Sequence, residues 1–290
     1  METSRNVAEE EEEEEEENYD EDSIKMFLEK ESRARNLGLR IRGDVIPHPD
    51  WVLRARLDGI SYILKTRDRL KLRSQTAYAS VTYLDRFLAR RRSLDEEKQW
   101  VVRLLCISCL SIAAKMVEMK VPRLSEFCCE GYTFGSKIIQ RMEVLVLNTL
   151  EWEIGLVSPF HYIQFFARKF LENTPRNSDA IYRAVDVILG TMRDVKIMCH
   201  RPSVVAAAAT LIEFDQFLKR DAIEHTLRSF LISSLPFQIE EIMGCYYQIQ
   251  QDLLQSDHGI SSSSSTAAAI GKRKRLVFDH ENDDGKKRKP

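Results

Sequence analysis

Between Ser23 and Leu254 apolar residues recur every three to four positions, glycines are few, and no stretch alternates as a half-buried strand would. The pattern predicts an all-α chain. A first amphipathic helix is expected over Ser23–Glu31, with Ser23 as cap and Ile24, Phe27 and Leu28 on one face. Five helical segments follow: Trp51–Arg67, Ser74–Arg90, Leu94–Met116, a short one near Arg123–Phe127 that Pro122 introduces, and Ser136–Leu150. A second set runs Pro159–Leu171, Ser178–Met192, Pro202–Phe217, a short one near Asp221–Leu231, and Gln238–Leu254. The third member of each set carries a run of small residues, Ser111-Ile112-Ala113-Ala114 and Val205 to Ala209. Small side chains let neighbours approach from several sides, which suits a central helix surrounded by four others, although alanine also favours helix on its own account. The repeated order of five elements points to a duplicated unit.

Two charges interrupt the most apolar segments. Lys115 closes the run that begins at Val101, and Glu143 shares a helical stripe with Ile139, Val146, Leu147 and Leu150. Lys and Glu are rarely buried without a partner, so spacing alone leaves three readings: an internal ion pair, heads that snorkel to solvent, or contacts with a second protein.

Composition narrows the class. Of the 290 residues 43% are hydrophobic, enough for one large core or two smaller ones. No run of about 18 residues is free of charged or polar interruption, and the N-terminus is acidic where a secretory leader is basic and then apolar. These features predict an intracellular protein with no membrane segment. The six cysteines sit in or beside apolar stretches and read as free thiols. Cys106, Cys109, Cys128 and Cys129 do not read as a zinc site, because the first pair falls in mid-helix without a knuckle turn. Neither metal nor cofactor is expected. The net charge of -2 is unevenly spread: -10 over residues 1–50, +8 over 51–150, -3 over 151–255 and +3 over 256–290. Glu9 to Glu17 is an unbroken acidic block that repels itself, and Ser261 to Ser265 opens a low-complexity linker. The expected organisation is a disordered acidic tail (1–22), an N-terminal helix and linker (23–50), two helical units (51–155 and 156–255) and a disordered basic tail (256–290).

Three motifs carry a resemblance. Thr82-Tyr83-Leu84-Asp85-Arg86-Phe87-Leu88, Cys109 to Glu118, and Arg141 to Trp152 stand in order on successive helices, with Pro202 to Ala208 in the second unit. They closely resemble the cyclin box, in the form found in plant D-type cyclins, over about residues 23 to 255. The tail Lys272 to Asp279 is similar to the end of the group-five members. The resemblance implies two consecutive five-helix cyclin boxes and a non-catalytic subunit that binds and activates a cyclin-dependent kinase to promote G1/S progression, with kinase inhibitors as further binders. It also implies that Lys115 and Glu143, with Glu118 beside them, grip the kinase near its regulatory helix. A partner that binds only the inward position of that helix shifts the kinase toward activity.

The chain departs from the family in two places. The first box helix should carry Arg followed six positions later by Trp, and here Arg56 is followed by Tyr62. On that register the substrate-docking groove comprises Ala55, Arg56, Asp58, Gly59, Tyr62, Lys65, Val102 and Arg103. These have lost apolar bulk, and Lys65 and Arg103 repel a basic peptide, which argues against Arg-x-Leu docking. The Leu-x-Cys-x-Glu motif for retinoblastoma-related protein is missing from residues 1–50, which hold no cysteine, so direct capture of that protein is unsupported.

The tail has two readings. Lys272, Arg273, Lys274 and Arg275, then Lys286, Lys287, Arg288 and Lys289 ten residues on, form a bipartite nuclear-import signal; Lys274, Leu276 and Phe278 also resemble a cyclin-docking peptide. The first predicts a nuclear protein with a cytoplasmic pool. An enzyme is disfavoured: no phosphate-binding or nucleophile-elbow motif occurs, and the six histidines show no His-x-x-x-His pairing. A nucleic-acid-binding transcription factor built from the same paired repeats is the alternative that the basic first unit keeps open; Lys115 and Glu143, which DNA binding would not need, argue against it.

Overall fold

The computed structural model describes residues 21–36, 50–90, 99–128, 131–170, 178–215 and 238–258. The acidic tail, the helix expected near Asp221–Leu231 and the basic tail with its import and docking residues (Lys272 to Arg275, Leu276, Phe278, Lys286 to Lys289) lie outside the described residues. Within them every regular element is helical.

The apolar run Leu104 to Ala114 is buried at every residue, which only a helix enclosed on all sides achieves. It forms the middle of α4 (Gln99–Val117), against which α2 (Asp50–Leu70), α3 (Ser74–Arg90), α5 (Ser136–Thr149) and the 3-10 turn Leu124–Phe127 pack. By length and hydropathy alone α4 also passes as a membrane span; its packing explains that composition. Ser108, which would leave a polar atom in this core, donates to the Leu104 carbonyl at 2.9 Å.

The second unit repeats the plan. In α9 (Pro202–Asp215), Ser203 through Thr210 are buried, and α6 (Phe160–Phe170), α7 (Ser178–Thr191) and α10 (Ile239–His258) close around it. Pro202 opens α9 where its missing N–H costs nothing. One element escaped the hydrophobic pattern: the single turn α8 (Val195–Met198), capped by the Asp194 side chain, which accepts from the Lys196 amide at 2.7 Å. Four residues are too few to show a period.

The helix expected at Ser23–Glu31 is longer, α1 (Glu21–Asn36), so Ser23 lies inside it and not at its N-cap position. Ile24, Phe27, Leu28, Glu31 and Ala34 form its buried face and dock on α6 of the second unit. Phe27 meets the rings of His161 and Tyr162 edge-on, at centroid distances of 4.8 and 6.2 Å. The buried Glu31 carboxylate accepts three bonds, from the Tyr162 hydroxyl (3.1 Å), the Ser203 amide (3.1 Å) and the Ser203 hydroxyl (2.8 Å). A helix from the N-terminus thus belongs to the second core.

The two units are also tied directly. Arg56 on α2 pairs through Nε and Nη2 with the Asp85 carboxylate on α3 at 2.7 and 2.8 Å, and donates onward to the carbonyls of Met192 (2.8 Å) and Arg193 (3.0 Å) after α7.

Candidate functional site

The C-terminal end of α4 and the middle of α5 bring two of the sequence-predicted residues together. Glu143 is on the buried face of α5 with Ile139 and Val146, because a carboxylate at that stripe position is carried into the contact with α4. Lys115 follows Ala114, where α4 leaves the core, and its Nζ donates to both Glu143 carboxylate oxygens at 2.7 and 2.8 Å. The pair is asymmetric: the Glu143 side chain is 8% exposed and that of Lys115 45%. The ammonium therefore holds a shielded carboxylate at the protein surface, with its third N–H left to reach outward.

Apolar side chains flank the pair. Met116 and Val144, the next residues along α4 and α5, are half exposed, and Met119 is 88% exposed. Exposed apolar side chains next to a charge pair are a composition that protein interfaces use. The hydrophobic period alone gave no sign of this, because it reports which residues repeat and not which of them a second molecule covers.

Trp152 is a further residue that sequence reasoning passed over as a residue in its own right. Glu151 and Trp152 both adopt left-handed backbone angles (φ 56° and 62°), which non-glycine residues take only when held. The Trp152 amide returns to the Leu147 carbonyl at 2.9 Å, and its indole N–H donates to Asn148 Oδ1 at 3.1 Å. The turn that ends α5 presents this ring to solvent, 62% exposed.

Glu118 is placed differently from Lys115 and Glu143. Its Oε1 accepts from the Arg73 amide at 2.8 Å and from the Thr76 hydroxyl, so it caps the start of α3 inside the first unit.

The residues assigned to the docking groove divide. Arg56 is 3% exposed and committed to Asp85 and two carbonyls, so the expectation that it contributes to a groove is corrected: its charge is spent inside. Gly59 is buried against α4, where an added Cβ would lie 2.8 Å from Cys106 Sγ and 3.2 Å from Leu84 Cδ2. Tyr62 is 5% exposed; its hydroxyl donates to the Phe127 carbonyl, and the Arg103 guanidinium covers its ring at 4.2 Å from the centroid. Ala55 and Val102 are half-buried, and Asp58 and Lys65 are exposed. What faces outward here is charged, and the aromatic floor is covered by a cation.

No cluster of His, Cys, Asp and Glu suited to a metal occurs among the described residues. Ser158, which precedes a proline, is buried with its hydroxyl 3.0 Å from His161 Nδ1 and belongs to the start of α6.

The cyclin N-terminal domain family matches residues 22–155 and the cyclin C-terminal domain family residues 157–273, and the chain belongs to the cyclin family. Plant D-type cyclins are among the curated relatives it matches. Cyclin-D1-2 of Oryza sativa subsp. japonica is 36% identical, covering 74% of this chain and 61% of the relative. Cyclin-D5-1 of Arabidopsis thaliana is 31% identical, covering 90% and 82%. The chain spans about 60% of the length of the first of these and 82% of the second. Among solved structures, a viral cyclin from herpesvirus saimiri shares the fold at TM-score 0.55 and 17% identity, over 69% of this chain and 86% of that one.

Proposed function

We propose that this chain is the non-catalytic regulatory subunit of a cyclin-dependent serine/threonine kinase and promotes passage through G1/S. The observation that carries the reading is the Lys115–Glu143 pair, shielded on its acidic side, half exposed on its basic side and fringed by Met116, Met119 and Val144. Two charge-assisted contacts set the register of the kinase on this face and the apolar fringe supplies affinity. The covered Tyr62 floor and the cationic Lys65 and Arg103 disfavour recruitment of substrates or inhibitors through a basic Arg-x-Leu peptide. Residues 272–290 direct the protein to the nucleus, and their deletion leaves it cytoplasmic in an imaging assay.

The test is co-purification of the full chain with plant cyclin-dependent kinases, followed by histone phosphorylation by the complex. Lys115→Ala and Glu143→Ala weaken kinase binding about 30- to 5,000-fold, the effect of removing one member of a desolvated polar pair. Met119→Asp is the companion variant: its side chain is almost wholly in solvent, so the fold is untouched while the apolar fringe is broken. Full activation by Met119→Asp and by either pair variant would sink the assignment.

A further inference from the structure

The final turn of α4 brings a second charge close to Lys115. The Glu118 amide bonds to the Ala114 carbonyl at 2.9 Å, so helical geometry continues one residue past Val117. Residues three apart on a helix are surface neighbours, and a carboxylate at 118 is therefore placed to reach an ammonium at 115. The chain does not use that pairing. Glu118 Oε1 turns instead to α3, where it accepts from the Arg73 amide at 2.8 Å and from the Thr76 hydroxyl. Among the described residues Lys115 pairs with Glu143 alone.

Helix ends decide the direction. A carboxylate in the last turn of α4 sits at the negative end of that helix, while the start of α3 presents N–H groups without intrahelical partners at a positive end. Thr76 supplies a second donor from a position with no solvent exposure, so packing fixes the cradle. Anchored there, Glu118 ties the last turn of α4 to the first turn of α3, directly before Met119 of the apolar fringe.

We propose that Glu118 is the positioning residue of the Lys115–Glu143 site: held on α3, it is withheld from Lys115 and keeps the third N–H of that ammonium available to an acceptor on the partner. This rests on the reading of the face as the kinase-binding surface, and it gives Glu118 a role through Lys115 in place of a contact of its own. Three ammonium hydrogens set against the two Glu143 oxygens leave one donor over. A released Glu118 takes it. The pair then becomes one cation between two carboxylates, with a net negative charge and no donor directed outward, and the contact that sets the partner's register is lost.

The test moves Glu118 without touching Lys115 or Glu143. Thr76→Asp sets a second carboxylate where the hydroxyl was and expels Glu118 by like-charge repulsion, at a helix start that itself tolerates an acid. Thr76→Asp/Glu118→Gln removes the repulsion, because the Gln carbonyl accepts from the Arg73 amide while its NH2 donates to the new carboxylate. In the free full chain, 15N NMR of the Lys115 ammonium reports its partners: Thr76→Asp shifts the resonance and slows its exchange with water, and the double variant returns both to wild-type values. Binding to a purified plant cyclin-dependent kinase falls about tenfold in Thr76→Asp and recovers to within about twofold in the double variant, the scale of one hydrogen bond to a charged group. In a Lys115→Met background Thr76→Asp costs nothing further, whereas a merely structural loss would add. Thr76→Val, which keeps the shape and drops the hydroxyl, carries the same directions if Thr76→Asp does not fold. A Lys115 resonance unmoved in the folded Thr76 variants, an undiminished loss in the Lys115→Met background, or Glu118→Gln alone binding as poorly as Lys115→Ala would each overturn the proposal. Failure of the wild-type chain to bind any kinase overturns the functional reading instead, and the ammonium resonance then still decides whether Glu118 is withheld from Lys115.

Discussion

Arg56 holds both oxygens of Asp85 from within the protein, at 2.7 and 2.8 Å, with each side chain less than one-twentieth exposed. The same guanidinium reaches the Met192 and Arg193 carbonyls, so one side chain joins two helices of the first box and the end of a helix in the second. Removing either partner leaves a charge without water or counter-ion. Arg56→Ala and Asp85→Ala are each expected to destabilise by about 3–5 kcal/mol, while the Arg56→Met/Asp85→Leu double variant recovers part of the loss. Urea unfolding followed by circular dichroism measures all three.

Glu31 is the corresponding tie for α1. Glu31→Ala strands the Tyr162 hydroxyl and the Ser203 amide and hydroxyl, with an expected cost of about 2–4 kcal/mol. The loss localises to α1, which is also held on the second box by the Ile24, Phe27, Leu28 stripe and by a long Arg35–Glu241 ion pair at 4.0 Å. Amide exchange in residues 22–35 should quicken far more than in α4. Equal acceleration in both would contradict a local role.

Gly59 is required by the approach of α2 to α4. A Cβ there meets Cys106 Sγ at 2.8 Å inside a sealed core, so Gly59→Ala costs about 1–3 kcal/mol through overpacking even though alanine is the better helix former. Adding Cys106→Ala removes the obstructing sulfur and should return at least half of that loss in thermal unfolding.

Alkaline pH should unfold the protein early. Burial pushes the thiols of Cys106 and Cys245 up from 9.0 to about 12, raises Cys109 well above its ordinary value, and raises the Tyr83 hydroxyl from 10.0 to about 12. Each group keeps its proton longer folded than unfolded. Its contribution is therefore complete below pH 9 for the thiols and pH 10 for the tyrosine, and is lost as pH rises toward 12. Stability should hold up to about pH 9 and fall steadily from there to pH 11, and Tyr83→Phe, which also gives up the bond to the Ile154 carbonyl, should flatten the part above pH 10. In the native state at pH 8 these three thiols should resist a maleimide that modifies Cys128 and Cys199.

Some of this was legible before any coordinates. The span Ser74–Arg90 follows from the period of its apolar residues, and α4 announces itself through an apolar run longer than any strand. Lys115 and Glu143 stood out because each breaks such a pattern. Arg56 did not, since a charge on an amphipathic helix looks the same whether solvent or a second box covers it. Trp152 was hidden for a different reason, because its exposure depends on two successive left-handed residues that no periodicity encodes.

Sequence alone determined the helical class, the duplicated order and the two charges that apolar helices cannot absorb unaided, because hydrophobic spacing and desolvation cost act through neighbours a few residues apart. The tertiary structure alone decided which charges meet: Lys115 with Glu143 at the surface, Arg56 with Asp85 inside, and Arg86 with no carboxylate among the described residues. Those pairings join positions 28 and 29 residues apart, and their burial is set by helices from both boxes, so they exist only once the packing does.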